Sequence, residues 1–196
     1  MSFRYNTLKN STFFKINMIR MLRKHLFFFI FTLFMLPQAE AVRSVQCLVV
    51  AVSDGDTFRC LLANNKQIKV RLDSIDAPEK KQPFGSKARQ TLADFIHKQQ
   101  VRLEIKGYDR YQRTLATVYN SHNQNINLAM VKLGMAWVYQ RYANDPQYFQ
   151  AQQQAQQRRL GLWRDPNPIY PEQWRKMQSE QRKQKPQQKE GLFYGF

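Results

Sequence analysis

Apolar positions along this chain follow two rhythms, one of period two and one of helical period. Residues 43–60, RSVQCLVVAVSDGDTFRC, hold two β-rich apolar runs interrupted by Ser53-Asp54-Gly55-Asp56. The interruption predicts a hairpin in which Asp side chains bond the turn backbone and Gly55 supplies a positive φ. Residues 67–75, QIKVRLDSI, alternate polar and apolar through Ile68, Val70, Leu72 and a final Ile75, predicting a third strand with one buried face. Three consecutive strands make a meander. Ala88, Leu92, Phe95 and Ile96 then recur at helical spacing within residues 86–98. Residues 101–105 and 114–119 read as two more strands around Gly107-Tyr108-Asp109-Arg110.

Two further helices follow. Residues 127–133 (NLAMVKL) precede Gly134, the residue expected to close a helix in the left-handed conformation. Asp145-Pro146 combines an N-cap with a proline at the first helical position, and the segment runs through Phe149 and Leu160 to a stop at Gly161. Five strands with helices inserted late predict a small α+β barrel ending near Trp163. Residues 164–196 are a basic Gln/Pro/Lys-rich tail; its stretch QSEQRKQKPQQKE lacks apolar periodicity and is expected to be largely disordered.

The first 41 residues follow a different logic. Six basic side chains and no acidic one occupy residues 1–25, before the apolar run Leu26 to Leu36 and the small-residue pattern Ala39-Glu40-Ala41. A membrane-spanning helix needs about 20 apolar residues, whereas a signal-peptide core needs about 7–15. Residues 1–41 are therefore expected to be a signal peptide cleaved after Ala41, leaving a secreted or periplasmic monomer without a stable membrane anchor; a retained anchor is the competing reading. Cys47 and Cys60 lie on the two strands of the first hairpin, so an oxidising compartment would permit a cross-strand disulfide, against the alternative of two buried thiols.

Charge narrows the class of partner. The whole chain carries a formal net charge of +17, and residues 42–163 alone hold 18 basic against 9 acidic side chains. Such a single-sign field favours polyanions through counterion release. Two cysteines and three histidines are too few and wrongly spaced for a zinc cluster. Six of the nine acids, Asp54, Asp56, Asp73, Asp76, Glu79 and Asp109, fall in three short stretches that also contain Arg71, Arg110 and Arg113. In a meander the turn after strand 1 and the end of strand 3 can share one end of the sheet, so Asp56 and Asp76 can meet. Paired carboxylates need a counter-charge, and an all-oxygen set suits Ca²⁺ or Mg²⁺. Arg71 and Arg113 offer planar forks for phosphate oxygens, and Glu79, after Pro78, can orient or deprotonate a water. Each stretch taken alone reads as a turn or a solvated strand residue; one phosphodiesterase site accounts for all three.

In combination, V-S-D-G-D-T, R-L-D-S-I-D-A-P-E, Q-P-F-G, D-R-Y-Q-R-T-L-A, G-M-A-W-V-Y and R-R-L-G-L-W resemble the staphylococcal nuclease (thermonuclease-like) family from about Val45 to Trp163. The resemblance implies a five-stranded OB-fold barrel with about three helices, and Ca²⁺-dependent cleavage of DNA and RNA that has little sequence preference and leaves 3′-phosphate ends. It makes Asp56 and Asp76 calcium ligands together with the backbone carbonyl of Ala77, which stands where the best-known member has Thr. It sets Arg71 and Arg113 against the scissile phosphate, makes Glu79 the general base, and picks out Tyr111 and Tyr142, among four tyrosines suited to base stacking or to the core, as the nucleotide-pocket pair. Gln112 replaces the usual Gly of D-R-Y-G-R-T; if that position has positive φ, Gln costs about 1 kcal/mol. The alternative function is an OB-fold nucleic-acid-binding protein with a weak or dead site.

Overall fold

A computed structural model describes residues 43–184; the expected signal peptide and the last twelve residues lie outside them. Strands β1 (Ser44–Val52), β2 (Thr57–Leu61), β3 (Gln67–Leu72), β5 (Gln100–Tyr108) and β6 (Thr114–Tyr119) close a barrel in the order β1-β2-β3-β6-β5. Its ladders are antiparallel except β3–β6, which is parallel. Short strands β4 (Ile75–Asp76) and β7 (Trp137–Val138) pair separately. The chain is α+β, and its barrel order is that expected of the OB-fold.

The third strand stops earlier than its alternation suggests. Ser74 has φ 64°, a left-handed kink that ends β3 at Leu72 and delivers Ile75 and Asp76 to the second sheet. Asn127, fully buried, holds the kink: its Nδ2 donates to the carbonyls of Asp73 and Ala116 (3.0 Å each), while its Oδ1 accepts from the Val118 amide at 3.0 Å. A buried amide satisfied on both sides specifies geometry where an apolar residue would deprive the Val118 amide and the Asp73 carbonyl of this partner.

Helix α1 (Gly85–Ile96) buries Ala88, Leu92 and Ile96 at i, i+4 and i+8 against the barrel end. Helix α2 (Ile126–Lys132) is capped by Asn125, which accepts from the Leu128 amide at 3.0 Å. Asp145 caps helix α3 (Pro146–Gln157) by accepting from the Gln147 amide at 2.9 Å, with Pro146 at its start. The buried stripe of α3 is Tyr148, Ala151 and Ala155, while Phe149 is exposed. Phe58, Leu72, Leu92, Leu103, Ile126 and Met130 are sealed in one core, each worth about 1.5–3 kcal/mol of burial. Cys47 and Cys60 form the disulfide joining β1 to β2, with Cα atoms 5.7 Å apart.

The tail departs from expectation. After a 3₁₀ turn (Gly161–Arg164), residues 171–184 form helix α4 (Pro171–Gln184) rather than disordered chain. Pro171, Trp174, Met177 and Gln178 give it one buried or half-buried stripe, and most of that stripe precedes the low-complexity stretch that dominated the composition. Glu172 in its first turn and Arg182 and Lys183 in its last complement the helix dipole. The connecting segment packs down through Tyr170, edge-on to Trp137 at 5.3 Å, and through the Ile169 carbonyl, which accepts from Gln82 Nε2 at 2.6 Å. Among the described residues no helix is long and apolar enough to cross a membrane.

Candidate active site

The β1–β2 turn carries Asp56 to the edge of the barrel. Asp54 braces it, its Oδ1 accepting from the Asp56 amide at 3.1 Å. Gly55 is required here by close approach rather than by a positive φ, which it does not have. A Cβ on it would lie 2.7 Å from the Cβ atoms of both Ala77 and Ala88. The turn is therefore laid directly on the β4 loop and α1, and Asp56 Oδ2 accepts from the Ala77 amide at 3.1 Å.

Asp76 arrives from β4, its side chain 1% exposed. Between the two carboxylates stands Arg71, at the end of β3. Its Nη2 lies 2.9 Å from Asp76 Oδ1 and 3.3 Å from Asp56 Oδ2, and its Nη1 donates to the Leu72 carbonyl at 3.3 Å. The two distant acidic stretches thus converge on one guanidinium. Burial and the neighbouring acid set the electrostatics. Burial pushes the Asp76 carboxyl above the usual carboxylate range, with the charge of Asp56 adding to it and Arg175 and Arg71 opposing. Burial followed by the Asp56 charge pushes Asp54 up to about 7. For Arg71 burial works against the charged form, but the Asp56 and Asp76 charges outweigh it and its pKa rises. A crowded anionic pocket of this kind attracts added positive charge.

Arg113 enters from the turn before β6. Asp109 organises that turn: its Oδ1 accepts from the amides of Tyr111 (2.8 Å) and Arg113 (3.0 Å), and its Oδ2 accepts from Arg113 Nε at 2.6 Å. Although partial burial opposes it, these N–H donors and the Arg113 charge hold the Asp109 carboxyl below its ordinary range. Arg113 Nη1 lies 3.5 Å from Thr57 Oγ1, and that hydroxyl donates to Asp56 Oδ1 at 2.9 Å. Thr57 is thus the link between the third stretch and the first. Gln112 does have positive φ, 59°, yet Arg113 still reaches the site.

Glu79 sits on the loop between β4 and α1. Its amide donates to Gln82 Oε1 at 3.1 Å and its carbonyl accepts from the Gln82 amide at 2.8 Å. Gly85 passes so close that a Cβ on it would fall 1.9 Å from the Glu79 carbonyl oxygen. The Glu79 carboxylate is paired with Arg175 of α4, Oε1 to Nη1 at 2.7 Å, and Arg175 Nη2 also lies 2.9 Å from Asp76 Oδ2.

Around this centre lie the tyrosines. Tyr111 is 66% exposed, its ring within 4.9 Å of the Arg110 guanidinium and 5.6 Å of that of Arg113. Tyr142 is 55% exposed and stands edge-on to Tyr139 at 5.0 Å, and Tyr139 in turn faces the Arg71 guanidinium at 5.8 Å. All five residues expected to carry the chemistry, Asp56, Arg71, Asp76, Glu79 and Arg113, thus join one chain of contacts. Sequence reasoning missed Thr57 and Arg175; Tyr139 was one of the four tyrosines it offered for stacking or the core, with Tyr108, Tyr111 and Tyr142, but not one of the chosen pair. Thr57 stood inside a motif already quoted, whereas Arg175 is one arginine in a basic tail with no pattern to mark it. Among the described residues no group of three or more His, Cys, Asp or Glu side chains forms a ready metal cage.

Comparison with known proteins agrees with this architecture. Residues 69–165 match the family described as "Staphylococcal nuclease homologue". An uncharacterized endonuclease of Haemophilus influenzae is 59% identical over 132 residues, covering 67% of this chain and 74% of that protein. A micrococcal nuclease of Shigella flexneri is 46% identical over 138 residues, covering 65% and 79%. Protein ParB of Escherichia coli is 41% identical over 144 residues, covering 68% and 81%. With its closed barrel, the convergence of two acidic stretches on Arg71, and these matches, the chain belongs to the staphylococcal nuclease family of phosphodiester-cleaving hydrolases.

Proposed function

We propose that this protein is an exported, calcium-dependent nuclease with little sequence preference that hydrolyses DNA and/or RNA to 3′-phosphate ends. The observation that carries the proposal is the shared Arg71 guanidinium, within 3.3 Å of carboxylates twenty residues apart in sequence. Hard carboxylate oxygens at Asp56 and Asp76 fit Ca²⁺. With no third acidic ligand beside them among the described residues, a backbone carbonyl such as that of Ala77 and waters would complete the shell. Such an ion supplies positive charge that polarises the phosphoryl group and offsets the charge developing on its oxygens.

The chain's own residues supply the rest. Arg71 and Arg113 bind the phosphate and stabilise its added negative charge as water adds to phosphorus. Glu79 aims that water and takes its proton. The P–O5′ bond breaks and the departing oxygen takes up a proton, leaving a 5′-hydroxyl and a 3′-phosphate. Exposed Tyr111 and Tyr142 stack on bases, which any sequence permits because every base has a π-face. Support for export comes from the basic and apolar N-terminal residues ending in Ala39-Glu40-Ala41 and from the Cys47–Cys60 disulfide, a bond that persists in oxidising compartments.

Purified protein incubated with plasmid and single-stranded DNA, with Ca²⁺ or with EDTA, tests the reading. Degradation with Ca²⁺ and none with EDTA is expected, with product 5′ ends accepting label from polynucleotide kinase without prior phosphatase treatment. Binding without calcium-dependent cleavage would instead favour the binding-only alternative.

A further inference from the structure

Arg175 is ninety-nine residues from Asp76 in sequence, yet it makes the closest outside contacts of the site. Its Nη2 lies 2.9 Å and its Nη1 3.4 Å from the two oxygens of Asp76, and its Nη1 is 2.7 Å from Glu79 Oε1. Asp76 Oδ1 is also held by Arg71 at 2.9 Å. The carboxylate is therefore bonded on both oxygens, from beneath by the barrel and from outside by the tail helix. Any cation that coordinates Asp76, and any water that Glu79 is to deprotonate, must contend with the same guanidinium.

How α4 is attached makes this contest winnable. Its approach is fastened by Tyr170 on Trp137 and by Gln82 to the Ile169 carbonyl. Beyond the first turn only Trp174, Met177 and Gln178 are even half-buried, and the Arg175 side chain remains 44% exposed. A fixed hinge thus carries a lightly held arm, and segments with few buried apolar contacts open at low free-energy cost. We propose that helix α4 is a strap in which Arg175 acts as an internal counter-cation for Asp76 and Glu79, closing the site and giving way when a divalent ion binds. The inference rests on the calcium-nuclease reading above. By thermodynamic reciprocity, a strap that the ion displaces must weaken binding of that ion by the same factor. The Arg175–Glu79 pair is exposed on both sides, 44% and 38%, and such a pair contributes up to about 1 kcal/mol, which corresponds to about a fivefold change in affinity.

The test compares Ca²⁺ titration calorimetry of the full protein, Arg175→Gln and Arg182→Gln, together with amide hydrogen exchange over residues 171–184 with and without Ca²⁺. Arg182 lies on the same helix, is exposed and makes no contact with the site acids, so its variant controls for bulk charge. Arg175→Gln is expected to bind Ca²⁺ up to about fivefold more tightly and Arg182→Gln to bind as wild type. In the wild type Ca²⁺ is expected to speed exchange in α4 but not in α1. Unchanged or weaker affinity in Arg175→Gln, equal tightening in both variants, or α4 exchange indifferent to Ca²⁺ would overturn the strap while leaving the nuclease reading standing. Absence of saturable Ca²⁺ binding in wild type and Arg175→Gln alike would overturn the calcium reading and the strap with it.

Discussion

Glu79 and Arg113 reach the candidate site by different routes, and this shapes what their loss would do. Glu79 is presented by a loop and Arg113 by a turn, both near solvent, so neither side chain supports the core. Glu79→Gln and Arg113→Ala are each expected to lower turnover by about 10²–10⁴-fold, with melting temperatures within a few degrees of wild type; near-normal rates in both would remove the roles assigned to them. Gln112 makes the opposite case, a residue whose strain is local and whose function is indirect. It is exposed at φ 59°, where an L side chain costs about 1–2 kcal/mol, partly offset by the greater unfolded entropy of glycine. Gln112→Gly should therefore raise stability by up to about 1 kcal/mol in urea denaturation, with turnover within twofold, since Asp109 already fixes Arg113 through its amide and Nε. The Gln-for-Gly exchange was visible in sequence. That Arg113 still reaches the site was not, because it depends on the hydrogen bonds Asp109 makes around the turn.

At the scale of elements, the loop between β4 and α1 shows how packing aims a side chain. Gly85 allows the helix start to touch the Glu79 carbonyl, and any larger residue must push the two apart. Gly85→Ala is expected to lower turnover at least tenfold and to destabilise by about 1–3 kcal/mol, as overpacking does, measured by single-turnover cleavage and thermal unfolding. Period-two and helical patterns made the five barrel strands and the first two helices legible, because in each of them one face is buried against the same core; α3 was legible from its Asp145-Pro146 start, while Phe149, the apolar residue expected within it, is exposed. Strands β4 and β7 escaped, being two residues each and too short for any periodicity. Helix α4 escaped because its stripe rests on Trp174, Met177 and a half-buried glutamine beside a polar, low-complexity run.

At the scale of the whole molecule, the Cys47–Cys60 bond crosses the hairpin that carries Asp56, closing a loop with a sequence separation of 13. A closed loop of about that length is worth about 3 kcal/mol, so reduction should lower the melting temperature by roughly 6–12 °C for a domain of this size; a scan with and without dithiothreitol checks it, and an unchanged melting point would show that the barrel ladders alone hold the hairpin. Local order in the chain by itself determined the barrel strands, the helix caps at Asp145 and the close at Gly134, the basic field, and which acids and arginines were candidates, since these follow from neighbours in sequence and from summed charge. Only the tertiary structure decided that Asp56 and Asp76 share Arg71, that Thr57 links Arg113 to them, and that Arg175 covers Asp76 and Glu79. Those contacts join residues up to 99 positions apart, and side chains so distant meet only because barrel closure and the buried Asn127 bring their backbones together.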